Sequence, residues 1–262
     1  MKKFFAFASL LALTLSACSD DVAQGEQKGE GRVTIGCVAA TNIVETRATD
    51  RTTNVSCTTP EAEDFALKIE GVGHTYTADY ATIAEFNENN YLHLGSYKAT
   101  VVAGDITEEG YDKATFVGSA NFSVEARKNT EVEITAKIAN TLVKVEVTDG
   151  FKTYFAGGHA LKLTTAAGNE FDVTAQTEPI FIAPASFTIG GTATKQPNQS
   201  GVEGKDTVVK LPNYEPESVA AQTLYTVKFD VVNAGGATLT ISLNDEVVES
   251  EPIEQELNDN AQ

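Results

Sequence analysis

The stretch Asp64-Phe65-Ala66-Leu67-Lys68-Ile69-Glu70 decides the fold class. Phenylalanine, leucine and isoleucine alternate there with small or charged residues, and this period of two is typical of a half-buried β-strand. The Gly71-Val72-Gly73 triplet that follows predicts a turn. We therefore expect a partner strand directly afterwards, at residues 74–78.

The same alternation recurs along most of the chain. Predicted strands cover or include residues 33–39, 97–101, 116–117, 122–124, 132–138, 143–147, 161–163, 171–173, 180–182, 187–189, 225–231 and 239–243. A short helix is predicted at residues 80–86, and exposed loops at Thr41–Thr59 and Gly190–Lys205. A break near Asp149-Gly150 separates two sets of strands. We predict an all-β protein with two β-sandwich domains at residues 32–148 and 149–250, and an acidic tail at 251–262.

The N-terminus carries an export signal. Lys2 and Lys3 precede an apolar run that ends at Leu13, and this run is shorter than the about 20 residues that span a bilayer. The next residues, Leu15-Ser16-Ala17-Cys18, resemble the lipobox of bacterial lipoproteins at every position. The resemblance implies a signal peptide at 1–17 and a mature chain that starts at an acylated Cys18 and is held to a membrane. The alternative is an ordinary signal peptide with a chance cysteine.

Residues 18–31 read as a flexible tether, because Ala23 to Gly31 is rich in Gly, Gln, Glu and Lys. The formal charge of the whole chain is −18. Such a surface repels phosphate backbones and anionic lipids, so we expect no nucleic-acid partner and membrane contact through the lipid only. The sequence has no Trp, which weakens one common mode of sugar binding but leaves 8 Tyr and 13 Phe.

Two cysteines, Cys37 and Cys57, remain after Cys18. In an oxidising compartment a bridge between them is possible, and it would stabilise the fold by about 3 kcal/mol in the chain-entropy model. The alternative is a pair of small, half-buried thiols.

The motifs of common active sites are missing from the sequence. His74, His93 and His159 are far apart and have no Cys or His at metal-ligand spacing. The acidic stretch from Asp105 to Asp112 lacks the alternating ligands of an EF-hand and is predicted to be a solvated hairpin loop. We predict a non-enzymatic protein without cofactor or metal, although a glycosidase that uses two unassigned carboxylates stays an alternative.

The order of several short motifs resembles a surface lipoprotein family of unknown function in the Bacteroidetes and, more loosely, the fimbrillin-type pilins of that phylum. The motifs are the lipobox with its acidic pair, Thr46-Arg47-Ala48-Thr49-Asp50, Asp64–Ile69, Leu94–Thr100, Ala139–Val145 and Tyr225–Val231. The resemblance implies transthyretin-like or immunoglobulin-like sandwiches, an outer-membrane lipid anchor that faces the cell exterior, and a role as a pilus component or adhesin.

The resemblance also assigns roles to single residues. Ser19-Asp20-Asp21 is similar to a surface-export signal, and the Arg47–Ala48 bond is similar to the site where such pilins are cut, with Arg51 as the second candidate. Cutting would remove the first strand, and the strand of another pilin subunit would fill the groove by β-augmentation. A bridge between Cys37 and Cys57 would oppose this by holding the cut strand. The other function considered is a glycan- or protein-binding surface lipoprotein of a nutrient-uptake system.

Overall fold

The computed structural model describes residues 29–45, 51–197, 204–233 and 237–253. Within these ranges the regular secondary structure is almost entirely β-strand, which confirms the predicted all-β, sandwich-type fold. The strands are β1 (Glu30–Ala40), β2 (Asn42–Glu45), β3 (Thr52–Asn54), β4 (Ala66–Val72), β5 (Thr77–Tyr80), β6 (Tyr91–His93), β7 (Gly95–Ala103), β8 (Phe116–Val124), β9 (Asn129–Ile138), β10 (Thr141–Val147), β11 (His159–Thr165), β12 (Glu170–Asp172), β13 (Ile180–Ile182), β14 (Phe187–Lys195), β15 (Thr207–Tyr214), β16 (Thr223–Asn233), β17 (Ala237–Leu243) and β18 (Glu246–Pro252). Two short helices, α1 (Ile83–Glu88) and α2 (Asp149–Tyr154), complete the described part. In these ranges no helix combines the length and apolar character that a bilayer crossing requires.

The first sheet has seven strands in the order β5-β4-β7-β8-β9-β1-β6. The stretch that opened the sequence analysis supplies β4, which pairs antiparallel with β5 on one side and with β7 on the other. Its apolar side chains at Leu67 and Ile69 are buried, as the alternation predicts. They belong to one hydrophobic cluster with side chains of β1, β7 and β9, so the strands share a single core.

The second half of the chain is a sandwich of two sheets. One has the order β13-β10-β16-β17-β18, with β2 attached to β16 and β3 attached to β2, and the other has the order β12-β11-β14-β15. Their inner faces form a second hydrophobic cluster that includes Leu163, Ile189 and Phe229. An apolar layer between two sheets is the normal stabilising arrangement of such folds.

Helix α2 lies at the break that the sequence shows near Asp149-Gly150, where no helix was predicted. The Thr148 hydroxyl accepts a hydrogen bond from the Phe151 amide and so caps the helix, while it donates to the Asp230 carboxylate. Phe151 is fully buried, and its ring packs against Phe229 at 6.2 Å between centroids. The helix is therefore stabilised by tertiary contact, which a six-residue segment needs.

The two halves are joined by strands as well as by the covalent chain. Strand β10 lies before the predicted boundary at 148/149, yet it pairs with β13 and β16 and buries Val143 and Val145 in the second cluster. Strand β2 pairs in parallel with β16 through Val44 and Glu45. The first and second halves thus share hydrogen-bonded strands.

Several local predictions need correction. The Thr41–Thr59 segment is not simply an exposed loop, because it contains β2 and β3 and buries Ile43 and Val55. Helix α1 begins at Ile83 because Thr82 caps it, its hydroxyl accepting from the Glu85 amide at 3.1 Å. The last tether residues, Glu30 and Gly31, already belong to β1. Strand β14 extends into the predicted loop as far as Lys195, and β18 extends into the predicted tail as far as Pro252.

Candidate functional site

The candidate site is the edge of the first sheet at strand β1, together with the predicted cleavage segment that follows in the chain. Strand β1 pairs in parallel with β9 over nine positions, from Arg32 opposite Asn129 to Ala40 opposite Lys137. Val33, Ile35 and Cys37 point inward and are at most 4% exposed. The first strand therefore contributes three core side chains and one complete ladder of backbone hydrogen bonds.

The other edge of β1 is covered only in part. Strand β6 pairs with β1 over three positions, Glu30 to Arg32. Beyond them, the Asn87 side chain of α1 accepts a hydrogen bond from the Ile35 amide at 3.2 Å and donates one to the Ile35 carbonyl at 3.0 Å. In the described ranges no further strand pairs with this edge. From residue 36 onward, β1 is therefore held by one strand neighbour.

The predicted cleavage segment lies just beyond this strand. Strands β2 and β3 pair with each other, and their pairing register ends with Val44 opposite Thr52. Arg47 and Ala48 belong to the connection 46–50, which lies outside the described residues. Arg51, the second candidate, is exposed, and its guanidinium lies 3.4 Å from the Glu45 carboxylate.

The residues predicted to carry the lipid and the export signal, Cys18 and Ser19-Asp20-Asp21, also lie outside the described residues. Cys37 and Cys57 are both free thiols in the structure. Burial raises the pKa of the Cys37 thiol, and burial together with the nearby Asp112 carboxylate raises the pKa of Cys57. Both thiols are consequently held in the less reactive, protonated form.

The acidic loop between β7 and β8, predicted to be a solvated hairpin, instead ties the two halves together. The Glu109 carboxylate accepts hydrogen bonds from the Thr165 hydroxyl at 2.6 Å, the Asn169 amide at 2.8 Å and the Ala183 backbone N–H at 3.0 Å. Next to it, Gly110 and Phe181 exchange two backbone hydrogen bonds of 2.9 Å. Nothing in the local sequence marks Glu109, because its partners are at least 56 residues away in the chain.

The same loop is also hydrogen-bonded to another segment of the first half. The Asp112 carboxylate accepts hydrogen bonds from both the backbone N–H and the hydroxyl of Thr58, each at 2.6 Å. These bonds lower the pKa of Asp112. Among the described residues there is no group of three His, Cys, Asp or Glu side chains that could hold a metal ion.

The fold and this site define an all-β protein whose first strand lies beside a partly open sheet edge. A family model described as "Domain of unknown function (DUF4493)" matches residues 29–259. Because that match covers most of the chain, the protein belongs to this family. No curated protein matches the chain in sequence.

Several solved structures are similar at low identity. One is a candidate cell adhesion protein from Bacteroides fragilis, with 10% identity, 81% of this chain and 97% of that chain covered, and a TM-score of 0.38. Another is a candidate cell adhesion protein from Bacteroides eggerthii, with 9% identity, coverage of 87% and 98%, and a TM-score of 0.39. A third is described among candidate polysaccharide-binding proteins from Bacteroides thetaiotaomicron, with 9% identity, coverage of 86% and 99%, and a TM-score of 0.37. At these scores the similarities carry no argument about the function of this chain.

Proposed function

We propose that the protein is a non-enzymatic, lipid-anchored protein of the cell surface that works by binding, as a fimbrillin-like pilus component or adhesin. The single observation that carries this proposal is the position of β1. It is an alternating strand with an apolar inner face and one long strand pairing, and only the short β2 separates it from the segment with the candidate cleavage site.

A cut after Arg47 would separate β1 and β2 from the rest of the chain. The edge of β9 would then lose its neighbour over nine positions, and the pockets filled by Val33, Ile35 and Cys37 would open. An exposed edge above an apolar groove binds an extended strand from another chain by β-augmentation. This supports a subunit that assembles with other pilin subunits by strand addition.

Whether this chain can itself donate a strand to another subunit is a separate question. The segment from Glu249 to Leu257 of this chain is acidic and has Pro252 in its middle. Proline removes a ladder hydrogen bond, so the segment is a poor donor. A tip subunit, which accepts a strand but does not donate one, fits this sequence better than a shaft subunit. An anchor subunit would have to stay uncut, because the cut removes Cys18 together with β1.

The anchor itself is assigned to the N-terminus. Acylated Cys18 would hold the uncut precursor in the outer membrane, Ser19-Asp20-Asp21 would direct it to the outer face, and the tether would separate it from the lipid. A cut after Arg47 would release the rest of the chain from this anchor. Labelling of growing cells with a palmitate analogue tests this assignment. We expect label on the native protein and none on Cys18→Ser, and an unlabelled, soluble native product would contradict the anchor.

Arginine-specific proteolysis of the precursor tests processing. We expect one ordered cut in the native protein and in Arg51→Lys, but none at this position in Arg47→Lys. Size-exclusion chromatography then follows assembly of the cut protein with pilin subunits. The absence of both an ordered cut and any assembly would refute strand addition, while the anchor would still be judged by the labelling experiment.

The alternative is a glycan- or protein-binding lipoprotein of a nutrient-uptake system. An open pocket at the junction of the two halves favours it, since small polar ligands bind in such concave sites. A reproducible glycan-array hit from a protein that stays monomeric after proteolysis would favour this function over the pilus component.

A further inference from the structure

A pocket of about 770 Å³ lies where three loops of the two halves meet. One wall comes from the segment after β3, one from the loop between β7 and β8, and one from the segment between β12 and β13. Its lining includes Cys57, Tyr111, Asp112, Thr177, Glu178 and Pro179. The volume is in the range of sites that hold small ligands, about 300–1,000 Å³.

The walls of this junction pocket are fixed by hydrogen bonds before any ligand arrives. Asp112 is held by Thr58, as described above. The Gln176 side chain accepts from the Val145 amide at 2.8 Å and donates to the carbonyls of Val143 at 3.0 Å and Glu178 at 2.8 Å. A preformed site loses little conformational freedom on binding, so most of its contact energy is available for affinity.

The residues that line the pocket combine three kinds of group: an aromatic face, a phenol and carboxylates. Tyr111 is 47% exposed and offers an aromatic face together with a phenol. Burial and the nearby Asp172 carboxylate raise the pKa of this phenol further above physiological pH. Asp112 and Glu178 offer carboxylate oxygens, and each carboxylate accepts up to about four hydrogen bonds, so Asp112 keeps capacity beyond its two bonds to Thr58.

We propose that the junction pocket binds a neutral sugar unit of a glycan, with Tyr111 stacked on the apolar face of the ring and Asp112 and Glu178 accepting hydrogen bonds from its hydroxyls. A sugar presents hydroxyl donors around its edge and C–H groups on its face, which matches this combination of carboxylates and aromatic ring. Carboxylates cannot donate, so a neutral polyol satisfies them better than a ligand that only accepts. This inference gives the proposed adhesin its ligand class, and in that sense it rests on the proposed function.

The pocket disfavours two other ligand classes, anionic glycans and metal ions. Its two ionisable carboxylates and the formal charge of −18 on the chain repel sulfated, phosphorylated or sialylated glycans. A metal ion is a poor candidate, because no three ligating side chains of the described ranges converge in or near the pocket. The specificity expected is therefore for uncharged sugars.

A glycan array of neutral and anionic oligosaccharides, probed with the soluble mature chain, tests the proposal. The best neutral hit is then titrated by isothermal calorimetry against Tyr111→Ala, Glu178→Gln and the control Tyr91→Ala. Tyr91 is 57% exposed on β6 and does not line the pocket. We expect Tyr111→Ala to weaken binding about tenfold, the order of one lost stacking contact, and Tyr91→Ala to leave it within about twofold.

Each outcome decides the proposal. A neutral hit that is weakened by Tyr111→Ala and by Glu178→Gln, with unchanged urea midpoints, supports it. No neutral hit, a hit that is equally strong in both pocket variants, or a preference for anionic glycans overturns it. Because proteolysis and assembly are measured on the same protein without a sugar, failure of the pocket leaves the test of strand addition intact.

Discussion

Replacement of Ile35 by alanine is the sharpest test of how β1 is held. Ile35 is 2% exposed, its side chain lies in the first core cluster, and its backbone is bonded to Asn87. The change removes about three buried carbons at about 0.8 kcal/mol each, or about 2.4 kcal/mol before any cavity forms. With the cavity included, such changes cost about 2–5 kcal/mol, and we expect about 3 kcal/mol here.

Urea unfolding followed by circular dichroism measures this free energy. The control is Val38→Ala on the same strand, where the side chain is 58% exposed and faces away from the core. We expect the control to change the free energy of unfolding by no more than about 0.5 kcal/mol. If Ile35→Ala costs no more than this control, β1 does not contribute to the core as described, and its removal by a protease would open no apolar groove.

Three further predictions concern the loop and the thiols. Glu109→Ala should lower the free energy of unfolding by about 1–3 kcal/mol, since it removes three hydrogen bonds to a charged acceptor. The control Glu108→Ala breaks only an exposed ion pair and should change this free energy by less than about 1 kcal/mol. Equal urea midpoints for the two variants would contradict a stabilising role of Glu109 between the halves. The lowered pKa of Asp112 means that its ionised form stabilises the folded state above the ordinary pKa of Asp, about 4, and that this contribution is lost as the pH falls through the folded-state pKa. The difference in stability between the native protein and Asp112→Asn should therefore shrink on acidification, and a difference independent of pH would disprove it. Iodoacetamide should label the half-buried Cys57 before the buried Cys37. Mass spectrometry without reductant measures the label on each thiol. An unlabelled chain whose mass is lower by two hydrogens would show a disulfide instead.

Some features could be predicted from local sequence because their cause is local. The alternation in Asp64–Glu70 gives β4, since successive side chains of a strand point to opposite faces. The β1 segment follows the same rule, and Val33, Ile35 and Cys37 are buried as expected. The apolar pattern places the start of the short helix three residues too early, because the Thr82 cap sets that start.

Other features could not be predicted because their partners are remote in the chain. Strand β2 has only Ile43 and Val44 as apolar residues, and it is a strand because Thr223 and Leu224 of β16 offer it an edge. The pocket likewise requires three segments, the first and last of which lie more than 100 residues apart in the chain. Local propensity carries no information about such pairings.

The sequence by itself determined the acidic charge and the all-β class, and it predicts an export signal with a lipobox, because each of these depends on residue type and short spacing alone. The tertiary structure alone decided that β1 runs parallel to β9, that Glu109 joins the two halves, that Asp112 is held by Thr58, and that a pocket lies at the junction of the halves. The physical reason is that hydrogen bonds and buried contacts between distant segments are set by how the whole chain packs, and that no stretch of sequence contains both partners.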